Sequence, residues 1–229
     1  MTKSICDLKS CFLCTFCIND WRPAIAANKR NFELKKGQQL FKEGDPVNGI
    51  YFIYSGTVKV HKRWGREKEL ILRFAKPGDI VGQLGLGKDV VYPVSATAIE
   101  AGVVCYVDMG FFESTLNVNN NFARQLMGVL ANDLQESEKR MRNLAHMPVK
   151  GRVAQALLML KDQFGISAEG YINIDITRQD LSSFTDAAYE SLFRVMNDFV
   201  EEKLISVSGK SILIADETGL RKLTEETEL

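Results

Sequence analysis

Apolar and polar positions alternate in short runs from Phe32 to Val107, and glycines at 37, 44, 49, 56, 65, 78 and 82 separate the runs. In Gly49–Ile53 and Thr57–His61, the pairs Tyr51/Ile53 and Val58/Val60 fall on alternate positions. A period of two with turn residues at this spacing predicts several short strands closed into a sandwich or barrel. After Phe111 the period lengthens. "NFARQLMGVLANDLQESEKRMRNLAHM" contains no proline and one glycine, Gly128. Its residues Phe122, Leu126, Val129, Leu130, Asp133, Leu134, Ser137, Met141 and Leu144 follow three- and four-residue steps. This predicts a long helix with one largely apolar seam and with Glu136, Glu138, Lys139 and Arg140 outside it. A seam of that length suits pairing with a copy of itself; the alternative is a helix packed on its own barrel.

Pro148 marks a boundary, and "VKGRVAQALLML" opens a helical region. Ile172–Ile176 alternates as a short strand. Thr177 is placed to cap a helix through "RQDLSSF", with Asp180 as a carboxylate in its first turn. After "TDAA", a second helix from Tyr189 to Glu202 sets Leu192, Val195, Met196 and Phe199 on one face. "LISVSGKSILIAD" then reads as a hairpin turning at Ser208–Gly209–Lys210. Helix, tight turn, helix and a two-stranded wing form a winged helix-turn-helix. The sequence therefore divides into an arm (1–20), a β-barrel (21–116), a dimerisation helix (117–147) and a winged helix-turn-helix (148–229), with a frayed acidic tail, "TEETEL".

Composition narrows the setting. The 229 residues are 45% hydrophobic and 25% charged, the balance of a globular protein rather than a disordered one. No apolar run reaches the ~20 residues that span a bilayer. Asp7, Lys9 and Asp20 interrupt any signal-peptide core, so a cytoplasmic protein without membrane association is expected. There a structural disulfide set is disfavoured. Four of the five cysteines nevertheless crowd into "CDLKSCFLCTFC", at Cys6, Cys11, Cys14 and Cys17, and the fifth is Cys105 in "GVVCYV". Sulfur ligands for zinc or for an iron–sulfur cluster are the remaining readings. "CFLC" and "CTFC" also fit thiol-redox chemistry, but that needs a helix N-terminus in a βαβ setting, which the pattern lacks; no enzyme is expected. His61 and His146 stand alone and are expected on the surface.

The order of these parts resembles the CRP/FNR family of bacterial transcription regulators, along nearly the whole chain. "KKGQQLFKEGDPVNGIYFIYSGTVKV" is similar to the family's first barrel strands, "GDIVG" to a later turn, and "TRQDLSSFTDAAYESLFRVMNDFVEEKLISVSGKSILI" to its DNA-binding region. The resemblance implies an α+β chain: a double-stranded β-helix or jelly-roll barrel like a cyclic-nucleotide-binding domain, a dimerisation helix and the winged motif. It implies a homodimer on a near-palindromic double-stranded DNA operator, with RNA polymerase as a further partner. Nucleotide-binding members carry a cassette similar to G-E-L-G-L followed by Arg-Ser-Ala. Here the chain reads "GQLGL", with Gln83 for the Glu, and Tyr92-Pro93 where Arg-Ser should fall. Without that cation a buried phosphate is costly, and no cyclic nucleotide is expected.

FNR-type members hold a [4Fe–4S] cluster with three arm cysteines and a fourth in a stretch similar to M-V-C-E-I. Cys105 falls at the corresponding place. The resemblance thus implies Cys11, Cys14, Cys17 and Cys105 as ligands, with Cys6 spare or alternative. The arm's C-x4-C-x2-C-x2-C departs from the family's C-x2-C-x5-C, so four arm ligands without Cys105, or zinc, stay open. For DNA, the family's base-reading Glu and Arg map to Glu190 and Arg194 in "YESLFR", beside Tyr189, Ser191 and Phe193. Positions i and i+4 share a helix face; Arg bridges guanine O6/N7 and Glu accepts from cytosine N4. Phe193 replaces a small hydroxyl residue and can touch a thymine methyl. Asp186 replaces the turn glycine, and Ala188 replaces a Thr, leaving Thr185 or Asp186 to cap the second helix. Between Pro148 and Ile214 seven basic side chains face nine acidic ones, a formal −2, so non-specific phosphate attraction should be weak. Arg178, Lys203 and Lys210 are the candidate phosphate contacts.

Overall fold

A strand with apolar residues on both faces needs cover on both sides, and this requirement organises the first half of the chain. The computed structural model describes residues 7–65 and 68–225; Cys6 and the last four residues of the acidic tail lie outside the described residues. Two compact units divide the chain, one of residues 1–67 and 71–135, the other of 68–70 and 136–229.

The first unit begins with α1 (Phe12–Phe16), a 3₁₀ turn (Asn19–Trp21) and α2 (Arg22–Asn28). The strands follow: β1 (Arg30–Leu34), β2 (Gln39–Phe41), β3 (Gly49–Ser55), β4 (Val58–Trp64), β5 (Lys68–Ala75), β6 (Ile80–Val81), β7 (Ser95–Ala98) and β8 (Gly102–Asp108). They form two four-stranded sheets, in the orders β1-β8-β3-β6 and β2-β7-β4-β5. Side chains alternate across a strand. Ile53 of β3 and Val104 of β8 pack between the sheets with Val58, Val60, Val81 and Ala96. Ile50 and Phe52 of β3, with Cys105 and Val107 of β8, join a separate apolar cluster with the helices. At the register shift on β3 between Ile53 and Ser55, β8 approaches closely at Gly102. A Cβ there would lie 2.1 Å from the Ser55 carbonyl, so only glycine fits.

Two helices cover the outer face. α3 (Met109–Val118) starts where the Asp108 carboxylate accepts from the Phe111 N–H at 2.9 Å. It ends at Asn119, whose φ/ψ of −115°/80° interrupts the helix before α4 (Asn120–His146) begins. Phe112 of α3 and Phe122 of α4 are fully buried beside Phe52, each worth ~1.5–3 kcal/mol of burial. The seam expected on the long helix therefore does two jobs. Phe122 and Leu126 pack on the chain's own barrel, while Leu134 and Met141, 61% and 60% exposed, do not. His61, expected on the surface, is 1% exposed, with Nε2 2.9 Å from the Thr97 hydroxyl of β7; strand pairing encloses it where a lone sequence position gives no warning. His146 is exposed.

The second unit holds α5 (Val149–Phe164), α6 (Arg178–Thr185), α7 (Tyr189–Glu201), the hairpin β9 (Ile205–Ser208) and β10 (Ser211–Ile214), and α8 (Glu217–Lys222). Leu157 of α5, Leu181 of α6 and Leu192 and Phe199 of α7 are buried, so three helices share one core. Ile172–Ile176 is not a strand. Only isolated bridges form, Ile166 with Ile172 and Tyr171 with Leu213, because the hairpin offers this segment one short edge. α8, which the sequence pattern did not reveal, is capped by Asp216 and seats Leu220 in the core.

Replacing Phe122 with Ala should cost ~3–5 kcal/mol by urea denaturation followed by circular dichroism. A loss below ~1 kcal/mol would mean that the start of α4 does not hold the barrel's outer face.

Candidate functional site

The alternation that buries β8 on both faces decides where its cysteine points. Cys105 is an odd-numbered β8 position, like Val107, and so belongs to the helical side rather than the barrel interior. Its thiol lies 3.2 Å from the Asn31 side-chain oxygen on β1, the residue opposite it in the ladder. The arm reaches the same layer. Cys11 and Cys17 flank α1 as its caps and Cys14 lies inside it. Cys11, Cys14, Cys17 and Cys105 are all buried members of one cluster with Phe12, Phe111, Phe122 and Leu126. Their sulfurs form no disulfide.

Polar contacts fasten the arm at the break between α3 and α4. The Ile18 N–H donates to the Asn119 side-chain oxygen at 2.9 Å, and Asn119 Nδ2 donates to the Thr115 carbonyl at 3.0 Å. Trp21 Nε1 donates to the Thr115 hydroxyl at 3.1 Å while its ring stacks on Phe111. Asn121 Nδ2 donates to the Phe16 carbonyl. The sequence pattern did not single out Asn119 or Trp21; a buried Asn between two helical runs was the available sign.

The donor set suits iron and sulfur chemistry: four thiols in apolar surroundings. Among the described residues, no three thiol, imidazole or carboxylate groups converge as a mononuclear metal site would require. Buried thiols in such surroundings are also poor nucleophiles, because thiolate formation is penalised there.

The positions that depart from the nucleotide cassette are engaged elsewhere. Gln83, 2% exposed, donates from Nε2 to the Asp133 carboxylate of α4 at 3.0 Å. Tyr92 is buried, stacks on Phe41 and donates from its hydroxyl to the Gly49 carbonyl at 2.6 Å.

In the second unit the winged motif presents α7. Thr177 caps α6, accepting from the Asp180 N–H at 3.0 Å and donating to its carboxylate at 2.6 Å. Asp186 ends α6 in the left-handed region, φ 49° and ψ 46°. The expected capping of α7 by Thr185 or Asp186 does not occur. The N-cap is Ala188, without a side-chain bond, because the Thr185 hydroxyl returns to the Leu181 carbonyl and Asp186 is committed to the αL turn. Leu192, Met196 and Phe199 face inward, which turns Glu190 and Arg194 outward together. Tyr189 and Phe193 are also exposed, at 45% and 56%, and Ser191 is half-buried. A cavity of about 240 Å³ lies between α7 and the wing, lined by Arg178, Tyr189, Phe193, Val200 and Val207 among others. Arg178 is half-buried there and donates to the Gly209 carbonyl at 3.3 Å. Lys203 is exposed, and Lys210 lies 3.7 Å from the Asp175 carboxylate.

An outward-facing second helix beside a two-stranded wing, in a chain that also carries a jelly-roll sandwich, is the arrangement of a DNA-binding regulator. Residues 31–119 match the cyclic nucleotide-binding domain, and residues 151–223 match the Crp-like helix-turn-helix domain. The chain is 30% identical to transcriptional activator protein anr of Pseudomonas aeruginosa, across 84% of this chain and 79% of that protein. It is 32% identical to the anaerobic regulatory protein of Bacillus subtilis, across 79% and 78%. The CRP-like cAMP-activated global transcriptional regulator of Mycobacterium tuberculosis is 28% identical across 87% of this chain and 90% of its own length. Among solved structures, FixK2 from Bradyrhizobium japonicum shares the fold, with a TM-score of 0.77 over 87% of this chain and 99% of that one, at 22% identity. The chain belongs to the CRP/FNR family of transcription regulators and is not an enzyme. Among the described residues no helix is long and apolar enough to cross a membrane.

Burial, and then the nearby Cys11, push the Cys17 thiol from 9.0 up to about 12. The stabilising effect of the native proton is complete below the unfolded pKa near 9 and disappears as pH rises to about 12. In metal-free, reduced protein, stability should therefore fall between about pH 9 and about pH 11 more steeply for wild type than for Cys17→Ala. Identical slopes in urea titrations would reject the buried, protonated thiol.

Proposed function

We propose that this DNA-binding regulator responds to oxygen, redox state or nitric oxide through a [4Fe–4S] cluster held by Cys11, Cys14, Cys17 and Cys105. The observation that carries this reading is the shared burial of three arm thiols and the β8 thiol in one apolar cluster with Phe122 and Leu126 of α4. When bound, such a cluster would supply electron exchange and reactivity towards oxygen or nitric oxide. The chain's own residues do the rest. Asn119, Thr115 and Trp21 fasten the arm at the α3–α4 break, so the ligand arm and the start of the long helix move as neighbours. The Bacillus subtilis relative, at 32% identity, is named an anaerobic regulatory protein, which agrees with this branch, while the Mycobacterium tuberculosis relative, at 28%, is named cAMP-activated. Gln83 and Tyr92, occupied by Asp133 and Gly49, support the same choice.

The output is base reading by a homodimer. Met127, Leu134 and Met141 recur every seven residues on α4, and each is at least 60% exposed. Such a stripe suits a matching stripe on a second copy. The dimer would set two α7 helices on half-sites about 10 bp apart, with Arg194 on a guanine and Glu190 on the cytosine opposite. Tyr189, Ser191 and Phe193 flank that contact, Arg178, Lys203 and Lys210 are the phosphate contacts, and RNA polymerase is the proposed downstream partner. Leu134→Asp with Met141→Asp should elute as a monomer from a sizing column; an unchanged dimer volume would exclude this stripe of α4 as the interface.

The sensing reading is tested on protein purified anaerobically. Wild type should carry iron and sulfide and bind a near-palindromic operator more tightly before air exposure than after it. Cys105→Ser should lack both the iron and the response. The same titration with Arg194→Ala should show at least roughly tenfold weaker specific binding, since one base pairing is worth ~1–3 kcal/mol in each half-site. Wild-type iron content in Cys105→Ser would remove Cys105 from the ligand set. Equal affinity before and after air would end the sensing proposal and leave DNA binding intact.

A further inference from the structure

The turn between α6 and α7 is held from outside the motif by two arginines. A helix leaves its last carbonyls without intrahelical donors, and the αL end of α6 returns the Asp186 and Ala187 N–H groups to the Ser182 carbonyl only. The carbonyls from Phe184 to Ala187 receive side-chain donors instead. Arg140 Nη2, near the end of α4, donates to the Phe184 carbonyl at 2.7 Å. Arg152 of α5 donates from Nε to the Thr185 carbonyl at 3.1 Å and from Nη2 to the Asp186 carbonyl at 3.0 Å. Its remaining nitrogen, Nη1, donates to the Met147 carbonyl at 3.1 Å, in the junction between α4 and α5. The next carbonyl, Ala187, accepts from the Ser182 hydroxyl at 2.7 Å. Four consecutive carbonyls are thus satisfied, three of them by guanidinium groups. Arg140 also stands over the Phe184 ring, 5.4 Å from its centroid.

Two physical effects favour this arrangement. Cations at a helix C-terminus oppose the negative end of its dipole, and a planar guanidinium meets several acceptors at fixed angles. Ala188 gives α7 no side-chain cap, so little within the motif itself fixes the entry of the recognition helix. The fixing comes from α4 and α5.

We propose that Arg140 and Arg152 are positioning residues of the DNA reader, setting the α6–α7 turn and hence the pose of Glu190 and Arg194. Because Arg140 belongs to α4 and Arg152 also grips Met147, a shift at the end of the long helix reaches the recognition helix through these guanidinium groups. The role stands on the DNA-binding assignment and not on the iron–sulfur reading.

Arg140→Met keeps the stem and removes the donors; Arg140→Lys restores one. The probes are a duplex selected by wild-type protein from a randomised pool and an unselected duplex of equal length, titrated at one salt concentration. Arg140→Met should bind the selected duplex about tenfold more weakly, the loss expected for a charged hydrogen bond, while binding the unselected duplex within about twofold of wild type. Amide exchange at Ala187 and Ala188 should quicken, and Arg140→Lys should recover most of the lost selectivity. An unchanged ratio of the two affinities would overturn the proposal. So would both affinities falling together with the melting temperature, since that is the behaviour of a residue that only supports the fold.

Discussion

Strands β3 and β8 have to be covered on their outer face, and most of the first unit follows from that requirement. Their inner face is closed by the opposite sheet, which leaves Ile50, Phe52, Cys105 and Val107 needing apolar neighbours. The neighbours arrive from three separate segments: the arm, α3 and the first turns of α4. Each also carries a feature of its own. The arm carries the cysteines, α3 ends at the Asn119 break, and α4 runs on as an exposed stripe. Hydrophobic burial therefore brings the thiols and the helix start together. Hydrogen bonds at Asn119 then specify the docking: unmade, a buried donor or acceptor costs ~1–3 kcal/mol, which disfavours alternative placements of the arm.

The second unit shows a related constraint with polar groups. Its three helices bury one apolar core, but the tight αL turn leaves carbonyls at the end of α6 that water or protein must satisfy. Arginines from α4 and α5 take that role. Gly151 belongs to the same economy of space: a Cβ there would stand 2.7 Å from the Leu223 carbonyl and 2.8 Å from Met147 Cγ. α5 can sit so close to the chain after α8 only without a side chain at that point.

The sequence made local features legible and left distant contacts hidden. Turn glycines, the Thr177 cap, the Asp186 turn and the i, i+4 pair Glu190/Arg194 are all set by residues within a few positions of one another, and all appear where expected. His61 gives no sign of burial in the sequence, because its enclosure depends on the neighbouring strand β7, where Ser95 lies opposite it and Thr97 meets its ring. Ile172–Ile176 has strand alternation but only bridges as partners, a tertiary limit on a local preference. Arg140 looked like one of several charges outside a seam, since its acceptor lies 44 residues away. The seam itself looked uniform, yet packing assigns its first part to the barrel and leaves its later part exposed. Periodicity identifies a face but not what covers it.

Charge placement in the second unit bears on how it can hold DNA. The formal −2 between Pro148 and Ile214 understates the shortage of available cations. Lys150 is paired with Glu202, Lys161 with Glu217 and Lys210 with Asp175, while Arg152 spends its donors on backbone carbonyls. An exposed pair such as Lys210–Asp175 is worth only ~0–1 kcal/mol and can be exchanged for phosphate contacts, whereas two of the Arg152 bonds are part-buried. Little of the basic charge is therefore on hand to release counterions, the main source of sequence-independent affinity. On the proposed reading, affinity would then come from base contacts and from two copies acting together. Selectivity would come by the same route, because what the unit lacks is the attraction that every sequence shares. On that reading the pose of α7 matters more than total charge, and the arginine-held carbonyls behind the helix are the contacts that bear on it.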